Sequence, residues 1–253
     1  MSLRRREHGK GHSYVDDDGK LDSVTKLIGD GFPKPALINW AANTTASYAI
    51  DHWNQLSTEP VSERMRKLKS ARFAERDRAA RRGTEVHALA ERLIRGDEVE
   101  VPDELAGHVE SYVRFLDTWK PRPVLVETVV ASRRWRYAGT LDMVVDLPDG
   151  QRVIADIKTT RSGIYPETAY QLAAYAHAET YLDADGTEQP MPELGITGAL
   201  GVWVRGDGVD VHPVDISEVT HRSFLHIAYV ARQAQTNRDL VGAAIDAPEV
   251  TTP

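Results

Sequence analysis

Cysteine is absent from the 253-residue sequence. Its absence excludes disulfides, thiolate zinc sites, cysteine-held iron–sulfur clusters and a cysteine nucleophile. No apolar run approaches the ~18 residues that a bilayer span requires. The opening segment, MSLRRREHGKGHSY, is basic but carries no apolar stretch of the kind found in a secretory signal. The expectation is a cytoplasmic protein with no membrane partner. No Walker A sequence occurs, so any helicase or translocase motor would be a separate protein.

An excess of positive charge is also missing. The net charge is −7, which taken whole argues against a polyanionic partner. Its distribution argues the other way. Nine basic residues (Arg64, Arg66, Lys67, Lys69, Arg72, Arg76, Arg78, Arg81 and Arg82) lie between positions 61 and 82, with only Glu63, Glu75 and Asp77 among them. That stretch carries +6 and the remainder −13. A local basic segment can contact phosphates while the other surfaces stay acidic; a solvated helix face is the plainer alternative. Trp40, Trp53, Phe73 and Trp119 are candidates for stacking on bases, or equally for core packing.

The first half reads as helical. Ser23 is a candidate cap for a short helix at VTKLIGD. A second helix is expected over about 36–56, helix formers run from 60 to 95 with a break near Gly83 and a cap at Thr84, and another helix covers about 103–119 before Pro121. Hydrophobic periodicity then changes from helical to alternating. PVLVETVVAS, TLDMVVDL and QRVIADIKTT read as strands, followed by a helix over about 166–181, strands at GALGVWVR and GVDVHPV, and a last helix over about 217–235. The expected organisation is a helical N-terminal part (1–82), an α/β core (83–240) and a flexible tail (241–253).

TLDMVVDL and QRVIADIKTT flank Pro148, Asp149 and Gly150, a hairpin turn. With a three-residue loop, Leu147 faces Gln151 and Asp142 falls opposite Asp156. Alternation then puts Asp142, Asp156 and Lys158 on one face. Opposed carboxylates repel, and a divalent cation such as Mg²⁺ or Mn²⁺ is the natural compensation. A lysine one same-face step away can orient or deprotonate water, or stabilise developing negative charge. An ordinary hairpin with edge acids and a solvated lysine is the alternative.

GTLD (139–142), ADIKTT (155–160), QLAAY (171–175) and RGTEVH (82–87) together resemble the motifs of the PD-(D/E)XK nuclease superfamily, in particular its RecB-like branch with phage and CRISPR-associated exonucleases. DSVTKLIGDGFPKPALINWAA resembles a segment expected in such phage proteins. The resemblance implies a restriction-endonuclease-like fold, a mixed central sheet flanked by helices with a helical N-terminal part. It implies Asp142, Asp156 and Lys158 as catalytic residues, with His87, Asp142, Asp156 and the Ile157 carbonyl as metal ligands. Gln171, Tyr175, Arg81 and Arg82 would meet substrate, and Glu91 and Glu127 are candidate outer acids. His87 and Glu91, and Gln171 and Tyr175, are each four apart and share a helical face. Arg133, Arg134 and Arg136 are candidate phosphate contacts or solvated turn residues. The implied activity is a Mg²⁺- or Mn²⁺-dependent DNA exonuclease of phage recombination or processing, in host cytoplasm if phage-encoded, with DNA and a single-strand annealing or recombination protein as partners. A structure-specific endonuclease and a non-catalytic DNA-binding module are the alternatives. The cysteine-held iron–sulfur cluster of some relatives is excluded.

Overall fold

The computed structural model describes residues 3–9 and 11–245. Three short strands, β1 (Arg4–His8), β2 (Gly11–Asp16) and β3 (Gly19–Ser23), open the chain, so the N-terminal part is not wholly helical as the sequence suggests. Helices α1 (Val24–Gly31), α2 (Pro35–Asp51), α3 (Trp53–Ser57), α4 (Val61–Ile94) and α5 (Ala106–Trp119) follow. The remainder runs β4 (Arg122–Ser132), β5 (Tyr137–Asp146), β6 (Arg152–Lys158), α6 (Glu167–Ala176), β7 (Thr180–Leu182), β8 (Glu188–Pro190), β9 (Gly198–Val204), β10 (Val209–Pro213) and α7 (Glu218–Thr236). The fold is mixed α/β, a mixed sheet flanked by helices. Residues 241–245 form no helix or strand, and the rest of the expected tail, 246–253, lies outside the described residues.

Helix α4 overturns two expectations. It passes without a break through Gly83, and Thr84 caps nothing: its hydroxyl donates back to the Ala80 carbonyl at 3.1 Å. A boundary at 82/83 therefore falls inside a continuous helix. Gly83 sits where the helix crosses the end of β6, and a Cβ there would lie 3.3 Å from Thr159 Oγ1. Gly83 thus lies at a close passage rather than at a helix terminus.

Strand β5 organises the sheet. It pairs antiparallel with β4 from Tyr137 to Asp146, with a gap at Asp142. Its other edge is shared: β3 pairs parallel with Tyr137 and Ala138, whereas β6 pairs antiparallel with Met143 to Asp146. Residues 139–142 lie in the fork between. Beyond β6 the sheet continues through parallel β9 to antiparallel β10. One core, with Val144, Ile154, Leu172 and Phe224, lies between the sheet and α1, α6 and α7. A second, with Met143, Val153, Phe115 and Ala90, lies between the sheet and α4 and α5. Burying a side chain such as Phe224 contributes roughly 2 kcal/mol.

Helix α7 begins as expected at Ser217, whose hydroxyl accepts the Thr220 N–H. Its His221 stacks on His177 (centroids 4.7 Å apart) and lies 3.2 Å from the Tyr137 hydroxyl. Burial, followed by the neighbouring His177, lowers the His221 pKa to about 4. The unfolded chain, with an ordinary histidine near ~6.5, binds the proton more readily between those values. Stability is complete above that ordinary value and falls as pH drops toward 4. With His221 only half-buried the loss is discounted to about 1 kcal/mol. Urea midpoints between pH 7 and 4.5 should shift less in His221→Gln than in wild type; equal shifts would refute the assignment.

Candidate metal centre

The hairpin register is the one read from the sequence. The Leu147 N–H bonds the Gln151 carbonyl, and the β5–β6 pairs run from Asp146↔Arg152 to Met143↔Ala155. One more step would pair Asp142 with Asp156, and there the ladder stops. Instead the Asp142 carboxylate turns in, and its Oδ2 accepts the Ile157 N–H at 2.7 Å. On the other edge of β5 the same residue would oppose Glu127, and that pair is also missing, between Val126↔Met143 and Thr128↔Leu141. Glu127 has φ +49°, a left-handed backbone uncommon outside glycine. Asp142 thus occupies a gap in the sheet, open to both faces.

On the α6 side lies a closed set of polar contacts. Asp156 is 1% exposed. Its Oδ1 accepts from Gln171 Nε2 at 2.8 Å, and its Oδ2 lies 2.6 Å from Lys158 Nζ. That second contact is an ion pair outside hydrogen-bond geometry, so Oδ2 has no hydrogen-bond partner. Lys158 Nζ donates to Gln171 Oε1 at 3.2 Å. Burial pushes the Asp156 carboxyl up, against the pull of Lys158. Burial also opposes the Lys158 cation, but the charges of Asp156 and Asp142 outweigh it and hold its pKa above the ordinary lysine value. The ammonium form suits charge stabilisation better than proton abstraction. A cavity of about 260 Å³ opens onto Lys158 and Gln171, with Thr25, Lys34, Thr160 and Tyr165 in its wall.

On the α4 side, His87 Nδ1 lies 3.4 Å from Asp142 Oδ2. Burial works against the imidazolium, yet the Asp142 contact and charge outweigh it and raise the His87 pKa to about 9. For Asp142, burial is likewise the largest influence and opposes the anion; His87, Lys158 and the Ile157 N–H prevail and hold its pKa down. Glu127 is pushed up to about 7, first by burial and then by Asp142 and Glu91. One ligand atom each from His87, Glu127 and Asp142 lies within 4.8 Å of the others. These three and Glu91 surround a void of about 10 Å³, room for one water or one ion.

Hence His87, Asp142, Asp156, Lys158 and Gln171 converge as expected, and Glu91 lines the same void. Glu127, ranked only as an outer acid from sequence, stands in the innermost group. Tyr175 is 2% exposed and packs behind Gly139, so it supports the site from the core rather than facing a substrate. Gln171 holds Asp156 and Lys158. Arg133 and Arg136 are engaged by Glu188 and Asp16. Of the candidate stacking aromatics, Trp119 packs against the second core, whereas Trp53 and Phe73 are exposed. Arg81 is exposed and Arg82 half-buried, near the site on α4. A larger groove of about 740 Å³ separates α2 from α4, but it is lined by alanines and aliphatics with Arg72 as its one charge, and it holds none of these residues.

No protein-family model matches the chain, and no curated protein does. Among solved structures, one titled "Crystal structure of SSO0001" aligns at 15% identity over 84% of this chain and 75% of its own, with a TM-score of 0.34. A likeness that slight carries no argument about function. Among the described residues no helix is long and apolar enough to cross a membrane.

Proposed function

We propose that this chain is a divalent-metal-dependent nuclease of the PD-(D/E)XK type that hydrolyses DNA phosphodiester bonds, as an exonuclease. One observation carries the reading: a buried aspartate, a half-buried aspartate, a histidine and a lysine from three separate elements meet at a gap in the sheet. Buried acids without a matching set of donors are costly, and Asp156 Oδ2 faces Lys158 Nζ alone. The donor set of carboxylates and one imidazole fits Mg²⁺ or Mn²⁺. Bound there, such an ion supplies Lewis acidity and a nucleophilic water at neutral pH.

The protein's own groups provide the rest. Asp142, Asp156 and His87 hold the ion, with the Ile157 carbonyl as a further candidate. Lys158 keeps a positive charge beside the scissile phosphate and stabilises the charge that builds on its oxygens. Gln171 fixes the Asp156–Lys158 pair by bonding both. The cavity beside Lys158 receives the strand. Along α4, Arg64, Lys69, Arg72, Arg81 and Arg82 form no ion pair with a described residue, which leaves them available to phosphates. A recombination or strand-annealing protein remains the partner class suggested by the motifs.

The test is cleavage of end-labelled linear DNA, single- and double-stranded, with Mg²⁺, Mn²⁺ or EDTA. A product ladder that needs the metal is expected. Cleavage undiminished in EDTA, or no cleavage with either ion on either substrate, would sink the proposal; cutting of circular DNA would replace the exonuclease by an endonuclease.

A further inference from the structure

We propose that Glu127 is a direct ligand of the divalent ion, completing with His87 and Asp142 a mixed nitrogen and carboxylate site that prefers Mn²⁺ to Mg²⁺. The inference rests on the nuclease reading for its use, but its argument is local.

Regular alternation along β4 and β5 puts Glu127 opposite Asp142 and would turn it to the α6 side, away from His87. The left-handed backbone at Glu127 reverses that. Val126 and Glu127, consecutive residues, both line the void on the α4 side. Asp142 and Met143 do the same, because Asp142 has left the ladder. Two departures from strand geometry, on adjacent strands at the same level, bring two carboxylates to one imidazole within 4.8 Å. The Glu127 carboxylate forms no ion pair or hydrogen bond with a described residue, although Arg95 is close enough to bond both Glu91 and the Val126 carbonyl. An unpaired acid directed at a histidine and an aspartate around an ion-sized void is a donor set awaiting a cation.

The donors also indicate which cation. Mg²⁺ binds oxygen ligands by preference and keeps much of its water, so an imidazole adds little to its affinity. Imidazole nitrogen binds first-row transition ions better than it binds Mg²⁺, and carboxylates accept Mn²⁺. One imidazole with two carboxylates, and Glu91 at the edge, suits Mn²⁺.

The test is metal binding by the full chain, followed by calorimetry for Mn²⁺ and Mg²⁺ and by pulsed EPR for Mn²⁺. Wild type should bind Mn²⁺ at least about tenfold more tightly than Mg²⁺, and Glu127→Gln should lose about tenfold or more of the Mn²⁺ affinity. A nitrogen coupling in the Mn²⁺ spectrum should vanish in His87→Gln. Glu127→Gly serves as a second variant, since glycine accepts the left-handed backbone and the fold is kept; it too should lose Mn²⁺. If Mn²⁺ binds both Glu127 variants within about twofold of wild type, the ligand assignment is wrong. Equal affinity of wild type for the two ions overturns the preference. Failure of wild type to bind either ion overturns the nuclease reading itself, a result distinct from both.

Discussion

Lys158→Met is expected to slow DNA cleavage by about 10²–10⁴-fold, the range found when a positioned charge or proton-transfer group is removed. Methionine keeps most of the stem's volume and removes the ammonium. The loss has two parts that can be separated. Removing the cation leaves Asp156 buried and unpaired, which destabilises by up to about 3–5 kcal/mol, although protonation of a carboxyl already pushed up by burial relieves part of this. The double variant Lys158→Met/Asp156→Asn removes that penalty. Thermal melts should show stability falling in the single variant and recovering in the double, while initial rates remain low in both. A folded Lys158→Met protein that cleaves at the wild-type rate would exclude Lys158 from the chemistry.

Gly139→Ala is expected to destabilise the protein by about 2–3 kcal/mol through overpacking. A Cβ at Gly139 would stand 2.4 Å from Tyr175 Cε1 and 2.8 Å from its hydroxyl oxygen. Tyr175 belongs to the main core, so its ring has no solvent to retreat into. For a chain of this size the melting temperature should drop by roughly 5–10 °C. Gly139→Ala/Tyr175→Leu should recover part of the loss, which scanning calorimetry can measure. A melting temperature unmoved by Gly139→Ala would mean the ring is not held where it lies. The same contact explains why Gly139 accompanies the Tyr175 helix position: the glycine admits the ring that backs the strand carrying Asp142.

What could be read from sequence depended on how each element is stabilised. The β5–β6 hairpin was legible because its turn fixes the loop length and apolar residues fill both flanks, so the register followed by arithmetic. Strands β1 to β3 escaped because RRREH, GHSYVD and GKLDS hardly alternate. They are held by pairing and by a small cluster of Leu3, Tyr14 and Leu21. The available signals were the turn glycines, Gly9 at φ +54° and Gly19 at φ +111°. Gly83 suggests a helix stop by composition, but it lies inside α4 with Thr159 close beside it. Glu127 was within reach. The four-residue connection after Ser132 sets Ser132 against Tyr137, and the same count sets Glu127 against Asp142. Its left-handed backbone left no trace in the sequence, because nothing in VETV demands it.

Helix α4 has a mechanical consequence. Its 34 residues make a rod of ~51 Å. One end carries the exposed arginines that face outward, and the other carries His87, with the Gly83–Thr159 contact between them. The rod is held at several points: Ala71, Val86, Ala90 and Ile94 are buried, and Lys67 pairs with Glu59. Ala90 and Ile94 follow His87 on α4 and pack in the second core, so a substitution that shifts either would move the imidazole with it.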